Sequence, residues 1–267
     1  MNSNFFDNMS SFNDALKNIR LRYLAAFIVV CYLVLSLLAN FSGFIDTNWV
    51  YVLVIFYFMF ALRRHFQDFK AEAGSVFSEI ALKHILAIVF LNIFFSYGML
   101  YMSILIVECF PSLDFLLGFS IPSMSIEYLP LLGGFISTVI ISPISEELIF
   151  REIFINKLEL VVPTVFAIFI SSLLFGALHS FGSMISAFVF AVCMSILYIK
   201  TENICVPILA HFINNLFAEI IRIADINNAL FTNGTVMAVV GILAIISAIL
   251  LVKFIAKELN INKSKDI

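Results

Sequence analysis

Glu146, Glu147, Arg151, His179, His211 and Asn215 are the residues whose types and spacing could do chemistry. They fall in three short segments. The first reads Ser-Glu-Glu-Leu-Ile-Phe-Arg, from Ser145 to Arg151. Glu147 and Arg151 are four apart, so on a helix they share a face and can pair, and the guanidinium fork suits a carboxylate. Glu146 points about 100° away from Glu147 on a helix and has no partner in its own segment. A second carboxylate beside a paired one adds desolvation cost without structural gain, which marks Glu146 as the reactive candidate. The second segment, Phe175 to His179, puts an aromatic ring and an imidazole one turn apart, and the third puts His211 and Asn215 at the same spacing. A lone helical histidine is ordinarily a satisfied core residue. A glutamate, two histidines and an asparagine on three apolar helices are not accounted for by packing alone.

A carboxylate, two imidazoles and an amide are the parts of water-driven amide cleavage. Glu146 could act as general base on a water, assisted by His179. His211 and Asn215 could donate hydrogen bonds to the developing oxyanion. Alternatively Glu146, His179 and His211 could hold a divalent metal such as zinc that activates the water, as three-ligand open sites do. No His-Glu-x-x-His pair is present. Ser142 and Ser145 lie near the glutamates, but no Gly-x-Ser-x-Gly elbow frames them as nucleophiles. The cofactor is therefore either a divalent metal or none.

The elements that must position these groups are membrane helices. Of 267 residues, 62% are hydrophobic and only 12% are charged, far from the roughly even apolar share and ~25% charge of soluble domains. Mean hydropathy is +1.07. This excludes a soluble globular domain, a disordered chain and a disulfide-rich secreted scaffold. No basic patch with interleaved aromatics points to nucleic acid. Cys31, Cys109, Cys193 and Cys205 are scattered without a CxxC pair and read as small apolar residues. The 31 phenylalanines read mainly as lipid-facing bulk.

Apolar runs predict an all-α, polytopic membrane bundle of about eight transmembrane helices: roughly 23–40, 49–62, 84–107, 129–157, 163–179, 184–199, 204–222 and 236–254. The second is short, and seven spans result if it only dips into the membrane. Residues 67–79 form a polar stretch in which Phe66, Phe69, Ala73 and Phe77 recur at helical spacing, as in an interfacial helix. Residues 108–128 read as an irregular outer loop. The first apolar run lacks a cleavage site and reads as a retained anchor. With the N-terminus in the cytoplasm, only Arg222 of the 15 Lys and Arg residues falls on the outer side, as the positive-inside rule requires of a chain with both termini cytoplasmic. The predicted organisation is a cytoplasmic segment 1–22, a bundle 23–254 whose reactive core spans 129–223, and a cytoplasmic tail 255–267.

If the fourth and fifth spans form a hairpin turning near Val161, Glu146 and His179 both lie about 25 Å from the turn at 1.5 Å per residue. His211 lies about 10 residues beyond the next turn and so counts as shallower.

The three segments resemble the signature of the CPBP intramembrane protease family, which holds the CAAX prenyl endopeptidases and the bacteriocin-immunity (Abi) proteins. The family pattern EExxxR, FxxxH and HxxxN is matched by Glu146-Glu147-Leu-Ile-Phe-Arg151, Phe175 to His179 and His211 to Asn215. The likeness runs over roughly residues 129–217. It implies that Glu146 acts on the catalytic water with His179, that His211 and Asn215 stabilise the oxyanion, and that Arg151 and Phe175 support them. Both metal-dependent and metal-free glutamate mechanisms are argued for such proteins. The function implied is an intramembrane endopeptidase cleaving a membrane-associated peptide or protein in a bacterial cytoplasmic membrane. The roles implied are peptide processing or bacteriocin self-immunity. The alternative is a non-catalytic membrane regulator that binds a membrane partner. A transporter is disfavoured, because no inverted repeat is present.

Overall fold

The computed structural model describes residues 11–41, 45–76, 79–110, 133–225 and 227–263. Among these residues the chain is helical, with no strand. The helices are α1 (Ser11–Lys17), α2 (Leu21–Ala39), α3 (Trp49–Ala61), α4 (Phe66–Ser75), α5 (Glu79–Cys109), α6 (Gly133–Leu158), α7 (Thr164–Ala177), α8 (Phe181–Thr201), α9 (Cys205–Ala224), α10 (Ala229–Thr232) and α11 (Gly234–Lys263). Six of them (α2, α5, α6, α8, α9 and α11) are long and apolar enough to cross a membrane, and the sharply bent pair α3–α4 would make a seventh.

Each of the eight apolar runs folds as a helix, but two fall short of a full crossing. With 13 and 14 residues, α3 and α7 reach only about 20 Å, against a hydrocarbon core of ~30 Å. The interfacial stretch is α4, ending at Ser75 rather than at residue 79; Phe77 lies outside the described residues. The foreseen outer loop falls mostly outside them too, although α5 carries helix through Glu108 and Cys109. The four cysteines are unbonded.

Helix α5 sits at the centre, packed against α8, α9 and α11. One close approach there places Gly98 directly against Ala244, leaving no room for a Cβ on the glycine. Helices α7 and α8 form a tight hairpin for the same reason: a Cβ on Gly176 would lie 2.9 Å from the Met184 carbonyl and 3.0 Å from the Phe188 Cβ. Small residues let helix backbones meet where lipid supplies no hydrophobic drive between helices. The apolar side chains left exposed on α2, α5 and α11, such as Val30, Phe90 and Ile245, form the outward face of a membrane bundle.

Polar contacts gather one end of the bundle. Lys157 Nζ donates to the Lys17 carbonyl at 2.7 Å, joining the end of α6 to α1. Asn203 Nδ2, in the α8–α9 turn, donates to the Glu72 carbonyl of α4 at 3.0 Å. Lys200 pairs with Glu258 of α11. At the opposite end, the Tyr101 hydroxyl on α5 donates to the Leu230 carbonyl of α10 at 2.8 Å.

Candidate active site

Helix α6 is not a regular α-helix. Its six-residue α segment Ser142–Glu147 lies between two π-helical stretches, Ser137–Ile141 and Leu148–Ile155. Pro143 supplies a cause for the first: it has no N–H to donate, and its ring crowds the carbonyl one turn back. The Ser142 N–H accordingly reaches the Ser137 carbonyl, five residues back. Wide turns of this kind favour functional sites because they release backbone groups and re-aim side chains. Here they bracket both glutamates.

Glu147 is fully buried and takes two partners. Its Oε1 accepts from His211 Nδ1 at 2.7 Å, and its Oε2 stands 3.0 Å from Arg151 Nε, an ion pair without in-line hydrogen-bond geometry. The expected Glu147–Arg151 pairing is present. Arg151 is itself buried, with its guanidinium 4.6 Å over the Phe175 ring and Nη2 at 3.5 Å from the Ala191 carbonyl. Phe175 is therefore the platform of the site. Its ring also lies 4.7 Å from His179 and 6.0 Å from His211, and Phe190 closes over His211 at 5.3 Å.

Glu146 is less buried, with 14% of its side chain exposed. It does have a local partner, contrary to expectation: the Ser142 hydroxyl, one turn back, donates to its Oε1. Tyr51 of α3 faces the same spot, close to Ser142 and Glu146. A serine has one hydrogen to give, and Ser142 gives it to Glu146. The other carboxylate oxygen, Oε2, stands 3.9 Å from His211 Nε2. His211 thus bridges the two glutamates and lies at their level. Counting residues from each turn places them at one level only if the two turns lie at different depths, the α6–α7 turn farther from the site than the α8–α9 turn.

His179 joins the cluster through Phe175, without a direct carboxylate contact among the described residues. Its Nδ1 lies 2.8 Å from the Phe175 carbonyl. A carbonyl only accepts, so the proton sits on Nδ1 and Nε2 is left as the free acceptor. Asn215 Nδ2 donates to the Thr138 carbonyl at 2.9 Å.

Among the described residues, no group of three or more His, Cys, Asp and Glu side chains is placed to hold a metal ion. Glu147 already serves Arg151 and His211, and His179 does not converge with Glu146 and His211 on one point. The donor set does not fit a metal in this arrangement.

Sequence reasoning missed Tyr51, Thr138 and the π turns. Pro143 beside the glutamates was the signal available for the turns. A tyrosine in a distant apolar run carried none.

The same stretch of chain matches a family model: residues 128–217 match the type II CAAX prenyl endopeptidase Rce1-like family. The likeness covers about a third of the chain and includes both glutamates, Arg151, Phe175, His179, His211 and Asn215. The candidate membrane peptidase YdiL of Bacillus subtilis (strain 168) is 33% identical over 116 residues, 43% of this chain and 47% of that protein. The chain is thus aligned with about half the length of that relative. No solved structure matches it. The matched stretch runs from α6 into α9, while Tyr51 lies outside it on α3.

Proposed function

We propose that this multi-pass membrane protein is an endopeptidase that hydrolyses a peptide bond within the bilayer by a water activated at Glu146. The observation that carries this reading is the unequal treatment of the two neighbouring glutamates: Glu147 is buried and fully committed to Arg151 and His211, whereas Glu146 is partly open and held by one serine.

Glu146 takes a proton from the water, with the His179 Nε2 available as second acceptor. The water oxygen bonds to the scissile carbonyl carbon, and the carbonyl electron pair moves to oxygen. Asn215 has a second amide hydrogen beyond the one given to Thr138, and directs it at that oxyanion. His211 Nε2, 3.9 Å from Glu146 Oε2, is the second polar group beside that oxyanion. Collapse of the intermediate breaks the C–N bond and returns the proton to the leaving amine. The setting is a bacterial cytoplasmic membrane, and the role is peptide processing or bacteriocin self-immunity.

The test uses the full chain in liposomes with quenched-fluorescence peptides, one farnesylated at a CAAX end and one unprenylated. Glu146→Gln should lower kcat at least 10³-fold and His179→Ala about 10²-fold, the range for a lost general base. Equal turnover in the wild type and both variants would sink the assignment. Full complementation of a deletion strain by Glu146→Gln would make the protein a non-catalytic regulator instead.

A further inference from the structure

Helix α5 lies outside the matched core, yet it carries a buried asparagine at the middle of an apolar span. Asn92 is 3% exposed. A polar side chain at such a depth is costly unless paired, and usually marks function. Its Nδ2 donates to Asn214 Oδ1 at 2.9 Å. Asn214 Nδ2 donates to Asn215 Oδ1 at 3.2 Å, and Asn215 Nδ2 donates to the Thr138 carbonyl at 2.9 Å. Three side-chain amides thus run in series from α5 through α9 to the π turn of α6.

The direction of this relay follows from chemistry, not from an arbitrary assignment of amide N and O. A backbone carbonyl only accepts, so Asn215 must turn its NH2 to Thr138. Its oxygen then faces Asn214, which must supply a hydrogen, and the oxygen of Asn214 in turn faces Asn92, which must do the same. Reversing any one amide sets two acceptors against each other. Thr138 is available as the anchor because α6 is π-helical there. The α-helical donor to its carbonyl would be Ser142, whose N–H goes to Ser137; the π-helical donor would be Pro143, which has no N–H. Asn92 Oδ1 is left buried without a partner at the head of the relay.

We infer that Asn92 and Asn214 are positioning residues that tether the oxygen of the Asn215 amide, so that with the NH2 held at Thr138 the amide plane is fixed and its second N–H is aimed at the reacting carbonyl. The inference rests on the proposed role of Asn215 as oxyanion donor. Without the relay, the Thr138 carbonyl alone holds the Asn215 amide, and the plane of the amide, which aims its second N–H at the oxyanion, is no longer fixed.

The test is a double-mutant cycle on the full chain in liposomes, read with the quenched farnesylated peptide. Asn92→Leu is close in size, suits an apolar span and removes the orphaned oxygen, so it should fold; Asn214→Leu serves if it does not. Asn92→Leu should lower kcat about tenfold with KM within about twofold. Asn215→Ala should lower kcat by about 10²–10³, as for a lost oxyanion donor, and the double variant should be no slower than Asn215→Ala alone. Unchanged kcat in Asn92→Leu, or losses that multiply in the double variant, would overturn the relay. Wild-type turnover in Asn215→Ala would instead remove the oxyanion role. A second measurement needs no turnover. In protein labelled with 15N-asparagine, the side-chain NH2 signals that vanish in Asn215→Ala should shift in Asn92→Leu; signals that stay in place would overturn the relay whatever the enzyme cleaves.

Discussion

Arg151 shows how a single charge can be held inside this bundle. It is buried, pairs with Glu147, lies over Phe175 and reaches the Ala191 carbonyl. Removing one member of a buried ion pair leaves the other uncompensated, at about 3–5 kcal/mol. Arg151→Met should therefore lower the unfolding midpoint in detergent by several degrees, and Arg151→Lys should only partly restore it, since an ammonium lacks the planar fork. Adding Glu147→Gln to Arg151→Met should recover part of the loss, because the orphaned charge is gone. A thermal shift series of the three variants checks this, and a double variant less stable than Arg151→Met would refute it. The Glu147–Arg151 pairing was legible from the i, i+4 spacing. The bond from Glu147 to His211 was not, because it joins residues 64 positions apart.

At the scale of the element, α6 departs most from what periodicity foresees. Its apolar pattern gives a helix over 129–157, and helix is found from Gly133 to Leu158, but periodicity does not announce the two π stretches. They arise where a backbone donor is missing and where tertiary contacts, such as the Ser171 hydroxyl donating to the Phe150 carbonyl at 3.1 Å, satisfy a carbonyl from outside the helix. Pro143→Ala tests this account. The new N–H would compete with Asn215 for the Thr138 carbonyl or bond one turn back to Val139. Turnover of the quenched peptide should fall about tenfold, while the unfolding midpoint holds or rises, since helical alanine is favoured over proline by ~3 kcal/mol. Unchanged kcat would show that the π turn is not needed to aim the site.

For the whole molecule, cation placement makes the strongest statement. Lys17, Lys157 and Lys200 lie at one end of the bundle, where Lys157 is tied to α1 and Lys200 to α11. The positive-inside rule assigns that end to the cytoplasm. A fluorescent protein that matures only in the cytoplasm should therefore glow when fused at either terminus, and a periplasmic reporter should be active at neither. One terminus giving the opposite result would mean that α3 or α7 does not traverse. Both are too short to decide the matter by length, and their crossing depends on neighbours: α7 is clamped to α8 through Gly176, and α3 packs against α6.

By itself the sequence determined that this chain lives in a membrane as a helical bundle, which segments are helices, and which few polar residues need an explanation. Those conclusions follow from local quantities: hydropathy over ~20 residues, the 3.6-residue period and the cost of charge in hydrocarbon. It also grouped Glu146, Glu147, Arg151, Phe175, His179, His211 and Asn215 through their motif spacing. Tertiary structure alone decided how the labour is divided among them. Glu147 is committed because His211 comes to it from α9. Glu146 is braced by Ser142, with Tyr51 arriving from α3, and Asn215 is aimed by Asn92 on α5. Hydrogen bonds between distant helices depend on which faces meet at which depth, and no spacing along one helix encodes that.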